Sequence, residues 1–149
     1  MGKIYKITDN LYIGSYRAAK KLKKLRKEGI TAIVNLMEKE KYNPPPEFNY
    51  LFKSIKDRMY INHEVLKEIL SFIEKNVIEG KVLVHCASGI SRSGGIAVAR
   101  LLMENPDWTW EDARKFVRKI TTISPHPNIR QSILDFLEKK EGKRRSDIY

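Results

Sequence analysis

Residues 81–95, KVLVHCASGISRSGG, join a short apolar run to a cluster of small residues and then to the start of an apolar helical pattern. KVLVH has the length and branched composition of a buried strand, and SRSGGIAVARLLMEN continues as a largely buried helix that stops near Pro106. A buried strand that turns tightly into a buried helix is one half of a strand–helix–strand unit, and such units build a sheet covered by helices.

Upstream, KIYKITDNLYIG alternates apolar and polar residues around Asp9 and Asn10 and reads as a hairpin, and SYRAAKKLKKLRKEG keeps helical spacing until Gly29. TAIVNLM is a buried strand. In KEKYNPPPEFN the consecutive prolines Pro44 to Pro46 exclude helix and sheet interior, so the stretch is a surface loop leading into the strand YLFKSI. After the polar stretch KDRMYIN, INHEVLKEILSFIEKNVIEG carries Val65, Ile69, Phe72, Ile73 and Ile78 on a helical stripe and is closed by Gly80. TWEDARKFVRKIT places Thr109 and Asp112 as a capping box, and Asn128 to Lys140 is a last helix. Trp108 and Trp110 read mainly as packing around that helix start, with an exposed recognition edge as the alternative. EGKRRSDIY, residues 141–149, reads as a basic, frayed tail. Strands alternating with helices predict a single α/β domain over residues 1–140, with a largely parallel central sheet covered on both faces.

The 149 residues suffice for one domain with a real core. Lys and Arg number 29 against 18 Asp and Glu, a formal charge of +11, which favours partners that carry phosphate or carboxylate: nucleic acid, an anionic membrane or a phosphorylated protein. One cysteine forms no internal disulfide and no thiolate metal cluster, which points to a cytoplasmic setting. MGKIYKIT has no apolar leader core, and no stretch has the length of a membrane span.

That cysteine, Cys86, stands at the carboxyl end of the apolar strand, where open α/β sheets place ligands. Ala87, Ser88, Gly89, Ile90 and Ser91 are mostly small, so the backbone can curl and aim successive N–H groups into one hollow at a helix start, an oxyanion site. Arg92 enters on the first turn, where a planar guanidinium can hold two phosphate oxygens. The same field favours the Cys86 thiolate, and a thiolate beneath a bound phosphate can attack phosphorus in line. Ser93 can donate to the sulfur as it leaves, and His85 suits pinning loop carbonyls. A lone thiol beside a Val-Leu-Val strand is ordinarily an inert core residue, but His85, Gly89, Arg92 and Ser93 around it make coincidence remote.

The run His85-Cys86-Ala87-Ser88-Gly89-Ile90-Ser91-Arg92-Ser93 resembles the signature loop of cysteine-dependent protein tyrosine phosphatases, closest to the dual-specificity branch, and DNLYIGSYRAAKKLKKLRKEGITAIVNL is similar to their amino-terminal segment. The resemblance implies a sheet of four to five strands with helices on both faces, no metal and no cofactor, and a catalytic aspartate between a strand and the helix that precedes the signature strand. Asp57 occupies that place, whereas Asp107 and Asp112 read as loop and cap residues and Glu64 opens a helix. An alkoxide or phenoxide leaving group needs a proton and the attacking water needs a base, and one carboxylate can serve both. The family's Asn after a Pro resembles Pro127-Asn128, but IRQSIL lacks the usual aromatic, so Asn128 reads first as a helix N-cap and second as a support of the loop.

The resemblance implies a metal-independent phosphatase of phosphorylated proteins, inhibited by phosphate or vanadate, that takes phosphotyrosine and, in a shallow pocket, phosphoserine and phosphothreonine. An RNA 5′-triphosphatase with the same cysteine chemistry would also suit +11, and a non-catalytic phosphate-binding module is the remaining alternative. Intact Cys86, Arg92 and Asp57 speak against the last. The thiolate is expected to be open to solvent and, lacking a second cysteine, prone to oxidation.

Overall fold

In the computed structural model, which describes residues 2–142, Asp9 and Asn10 turn β1 (Ile4–Thr8) back onto β2 (Leu11–Gly14) as an antiparallel pair. The chain continues through α1 (Tyr16–Ala19) and α2 (Leu22–Glu28) to β3 (Ile30–Asn35) and β4 (Asn49–Phe52). Then come α3 (His63–Asn76), β5 (Lys81–His85), α4 (Arg92–Glu104), α5 (Trp110–Arg118) and α6 (Pro127–Glu141). The five strands lie in the order β1-β2-β5-β3-β4, and every pairing except β1 with β2 is parallel. The strand that carries Cys86 at its end is therefore the middle one.

Strand alternation divides the interior into two cores. Val82 and Val84 face one side with Leu11, Ile13, Ala32 and Val34, under α3, α4, α5 and α6. Leu83 faces the other with Tyr12, Ile33, Ala19 and Leu25, under α1 and α2. A strand buried on both faces needs an unbroken apolar run, which is why KVLVH does not alternate.

The helix expected from Ser15 to Gly29 is two helices, with Lys20 as the C-cap of the first and Lys21 as the N-cap of the second. On either side of the break, α1 packs on β5 and α2 on the neighbouring strand β3. Gly80 does not close α3, which ends at Asn76 with Val77 as its cap. Gly80 instead lies in the turn into β5, where a Cβ would stand 2.0 Å from Thr31 Oγ1. The capping box is present in full: Thr109 N donates to Asp112 and Asp112 N to Thr109. Trp110 is buried and Trp108 packs on Phe116 with ring centres 5.6 Å apart, so the indoles serve packing. Glu141 still belongs to α6 and Gly142 caps it; the rest of the expected basic tail, 143–149, lies outside the described residues.

Candidate active site

β5 delivers Cys86 to the carboxyl edge of the sheet, and the next residues curl back to start α4. The carbonyls of this curl are drawn outward by other parts of the chain. Cys86 O lies 3.3 Å from His85 Nδ1, Ala87 O accepts from Tyr16 N at 3.2 Å, and Ile90 O accepts from Ser124 N at 2.9 Å. Gly89, at φ 80, packs against the β2–α1 turn so closely that a Cβ would meet Gly14 C at 2.8 Å. One amide of the curl meets the sulfur: Gly89 N donates to Cys86 Sγ at 3.1 Å, and Ser93 Oγ stands 3.3 Å from the same sulfur.

Arg92 is 7% exposed, and its Nη1 donates to the carbonyls of Ile55 at 3.0 Å and Leu36 at 3.4 Å. Its Nε is buried without a partner. An unmet buried donor costs about 1–3 kcal/mol, and here it belongs to the guanidinium edge opposite the anchored one, the edge that can present two parallel donors to an oxyanion. His85 is fully buried and its imidazole is pushed down to about 4, first by burial, against the pull of its hydrogen bond to Cys86 O and with the help of the Arg92 charge. It is thus neutral at pH 7, and with Nδ1 donating to Cys86 O its Nε2 accepts from Tyr42 Oη at 2.6 Å.

Two expectations need correction. Cys86 is not open to solvent: it is 0% exposed, covered by the loop that bonds its sulfur. Asn128 is not the N-cap of α6; His126 is, its Nδ1 accepting from Asn128 N, because Pro127 takes the first helical position. Asn128 Nδ2 donates to Arg58 O at 2.9 Å, so its side chain supports the loop that carries Asp57 rather than the cysteine loop. Ser91 Oγ accepts from His126 N, so this hydroxyl ties the loop to the start of α6. Asp57 is exposed, two residues beyond the Ile55 carbonyl that anchors Arg92, so the arginine links the aspartate loop to the cysteine loop. The sequence reading missed Tyr16, Tyr42, Ser124 and the carbonyls of Leu36 and Ile55. No local signal marks these partners, which come from segments distant along the chain.

A thiol at the end of the central strand, met by an amide and a hydroxyl, with a buried arginine opening the next helix, is the arrangement of the cysteine-dependent phosphatases. The family model for the dual specificity phosphatase catalytic domain matches residues 11–139, and the chain belongs to that family. Human dual specificity protein phosphatase 16 is 35% identical over 144 residues, covering 91% of this chain and 21% of that protein. Dual specificity protein phosphatase 22 of Xenopus tropicalis is 32% identical over 137 residues, 88% of this chain and 63% of its own. The chain thus spans less than two thirds of either relative. Among solved structures, the human tyrosine phosphatase-like serine/threonine/tyrosine-interacting protein superposes with a TM-score of 0.84 at 27% identity, covering 94% of this chain and 99% of that one. The structure titled DUSP15 gives 0.78 at 29% identity, with coverage of 89% and 86%. No helix of the described residues is long and apolar enough to cross a membrane.

Proposed function

We propose that the chain is a metal-independent phosphatase that hydrolyses phosphotyrosine in proteins, and also phosphoserine and phosphothreonine, through a cysteinyl-phosphate. The observation that carries this reading is the convergence on Cys86 Sγ of the Gly89 amide and the Ser93 hydroxyl, beside an arginine whose free edge fits a phosphate. The Cys86 thiolate attacks phosphorus, forming S–P as the P–O bond to the leaving group breaks, and Asp57 gives its proton to the departing oxygen. Water then attacks the cysteinyl-phosphate and passes a proton to the Asp57 carboxylate. As S–P breaks, the returning thiolate is received by Gly89 N–H and Ser93 O–H, and phosphate leaves. Arg92 and the loop amides hold the equatorial oxygens, where charge develops. Inorganic phosphate and vanadate inhibit by occupying the same cradle, and a reducing, cytoplasmic setting suits a thiol that must stay reduced.

A side-by-side comparison of kcat/KM on a phosphotyrosyl peptide, a phosphothreonyl peptide and a 5′-triphosphate RNA tests the substrate class. The phosphotyrosyl peptide is expected to be turned over best. A preference for RNA of more than about tenfold, beyond what the +11 charge supplies through encounter alone, would assign the chain as an RNA triphosphatase instead. Binding of all three without turnover would assign a binding module.

A further inference from the structure

The loop that carries Asp57 makes few contacts of its own. Ile55 and Ile61 bury its two ends, while Asp57, Arg58, Met59 and Tyr60 between them are exposed. Internally, Arg58 N donates to Asp57 Oδ1 at 2.9 Å and Met59 N to Lys56 O at 3.3 Å. Arg58 sits at φ 69, the one non-glycine residue with positive φ among the described residues. A left-handed arginine costs about 1–2 kcal/mol, and such a conformation persists when its surroundings hold it.

What holds it is α6. Asn128 Nδ2, in the first turn, captures the Arg58 carbonyl at 2.9 Å. Two turns further on, Asp135 Oδ2 accepts from Tyr60 Oη at 2.8 Å while its Oδ1 accepts from Gln131 Nε2 at 2.8 Å. The phenol is pushed up to about 12 by partial desolvation and by the carboxylate it donates to, so it remains a donor at working pH. With its proton on Asp135, the Tyr60 oxygen accepts from His63 Nε2 at 2.9 Å, and the His63 ring is stacked on Tyr60 and set edge-on to Phe136 of α6. Arg58 and Tyr60 follow Asp57 by one and three residues, and both are fastened to the same helix.

We infer that α6 is the strut that positions the acid: Asn128 through the Arg58 carbonyl, and Asp135 through Tyr60, set where the Asp57 carboxyl stands relative to the leaving group. The inference rests on the reading of Asp57 as the general acid. Asn128 and Asp135 touch no reacting atom in this account and act through the loop. Misplacing an acid by about an ångström can cost up to about 100-fold, and the loss falls on substrates whose leaving oxygen needs the proton.

The test uses the full chain with Asn128→Ala, Tyr60→Phe, Asp135→Ala, Asp135→Asn and Asp57→Asn, assayed on a phosphotyrosyl peptide and on 4-nitrophenyl phosphate, whose leaving group is more acidic, with Tm measured alongside. Asn128→Ala, Tyr60→Phe and Asp135→Ala are expected to lower kcat on the peptide about tenfold and on the nitrophenyl ester less than about twofold, with KM little changed. Asp135→Asn keeps an acceptor for Tyr60 and is expected to stay near the parent on both substrates, since Gln131 can turn its carbonyl to the new amide. Tyr60→Phe removes one oxygen at a half-exposed position and keeps the reading testable if another variant folds poorly. Equal losses on both substrates, or Asp135→Asn as damaging as Asp135→Ala, would overturn the strut. If Asp57→Asn separates the substrates and the strut variants do not, the strut alone falls. If Asp57→Asn itself fails to separate them, the acid assignment and the strut fall together.

Discussion

His85 carries a pH dependence that can be worked out from its environment. Its pKa falls from an ordinary 6.5 to about 4 on folding, chiefly because burial disfavours the imidazolium. The unfolded chain then binds the proton more readily between those values, so the stabilisation is complete above pH 6.5 and is lost as pH falls toward 4, on the order of 3 kcal/mol over the window. His85→Asn, which keeps a donor for the Cys86 carbonyl, should show a flatter fall of Tm from pH 6.5 to 4.5 than the parent; parallel curves would mean the imidazole is not the group titrating. At Arg92, lysine in its place should lower kcat at least about 100-fold on any phosphomonoester, because one ammonium cannot serve the Ile55 and Leu36 carbonyls and a phosphate together. Steady-state kinetics checks this, and a loss below about fivefold would contradict it. That Cys86 and Ser93 would meet, with Arg92 opening the same helix, was legible in the sequence because this arrangement is set by spacing along one turn. The anchoring carbonyls were not, since nothing in the composition around Leu36 or Ile55 marks a guanidinium partner, and the burial of Cys86 follows from the curl of the loop, which spacing alone does not give.

Among the elements, the signature loop depends on Gly89. An alanine there would have to hold φ 80 and place its Cβ 2.8 Å from Gly14 C, so the loop must move away from the β2–α1 turn. Gly89→Ala is expected to lower Tm by roughly 3–8 °C and kcat by more than about tenfold, read by calorimetry and aryl phosphate turnover. Unchanged kinetics would show that the Gly89 amide is not needed at the sulfur. β5 and the helices α4 and α5 were legible because Val82, Leu83 and Val84 form an unbroken apolar run, α4 is apolar along most of its length, and a capping box starts α5. The break between α1 and α2 was not, because the apolar spacing of Ala18, Leu22 and Leu25 fits one helix and neither proline nor glycine marks the break at Lys20 and Lys21. The cap of α6 was misplaced by two residues because an Asn after a Pro has the sequence of a cap, while Pro127 fits the first turn and hands the capping role to His126.

Over the whole molecule the charge is +11, and some of it lies beside the signature loop: a cleft of ≈ 500 Å³ on its flank is lined by Lys3 and Arg17 together with Ser88, Gly89 and Ile90. Since such charges steer encounter and are screened over about 10 Å at 0.1 M salt, kcat/KM for a phosphotyrosyl peptide with acidic flanks should fall more steeply with salt than for one with neutral flanks. Identical salt slopes would show that the cations are remote from the bound peptide. The proposed reaction requires Cys86 to form a bond to phosphorus, and Ser93→Ala should slow the release of the thiolate enough for that species to accumulate. The direct measurement is acid quench of this variant during turnover of an aryl phosphate in EDTA, followed by peptide mass analysis. One phosphoryl group on the peptide carrying Cys86, absent from the Cys86→Ser protein, which is also inactive, is the predicted result. Turnover that continues in Cys86→Ser, or that stops in EDTA and returns with a divalent metal, would contradict it.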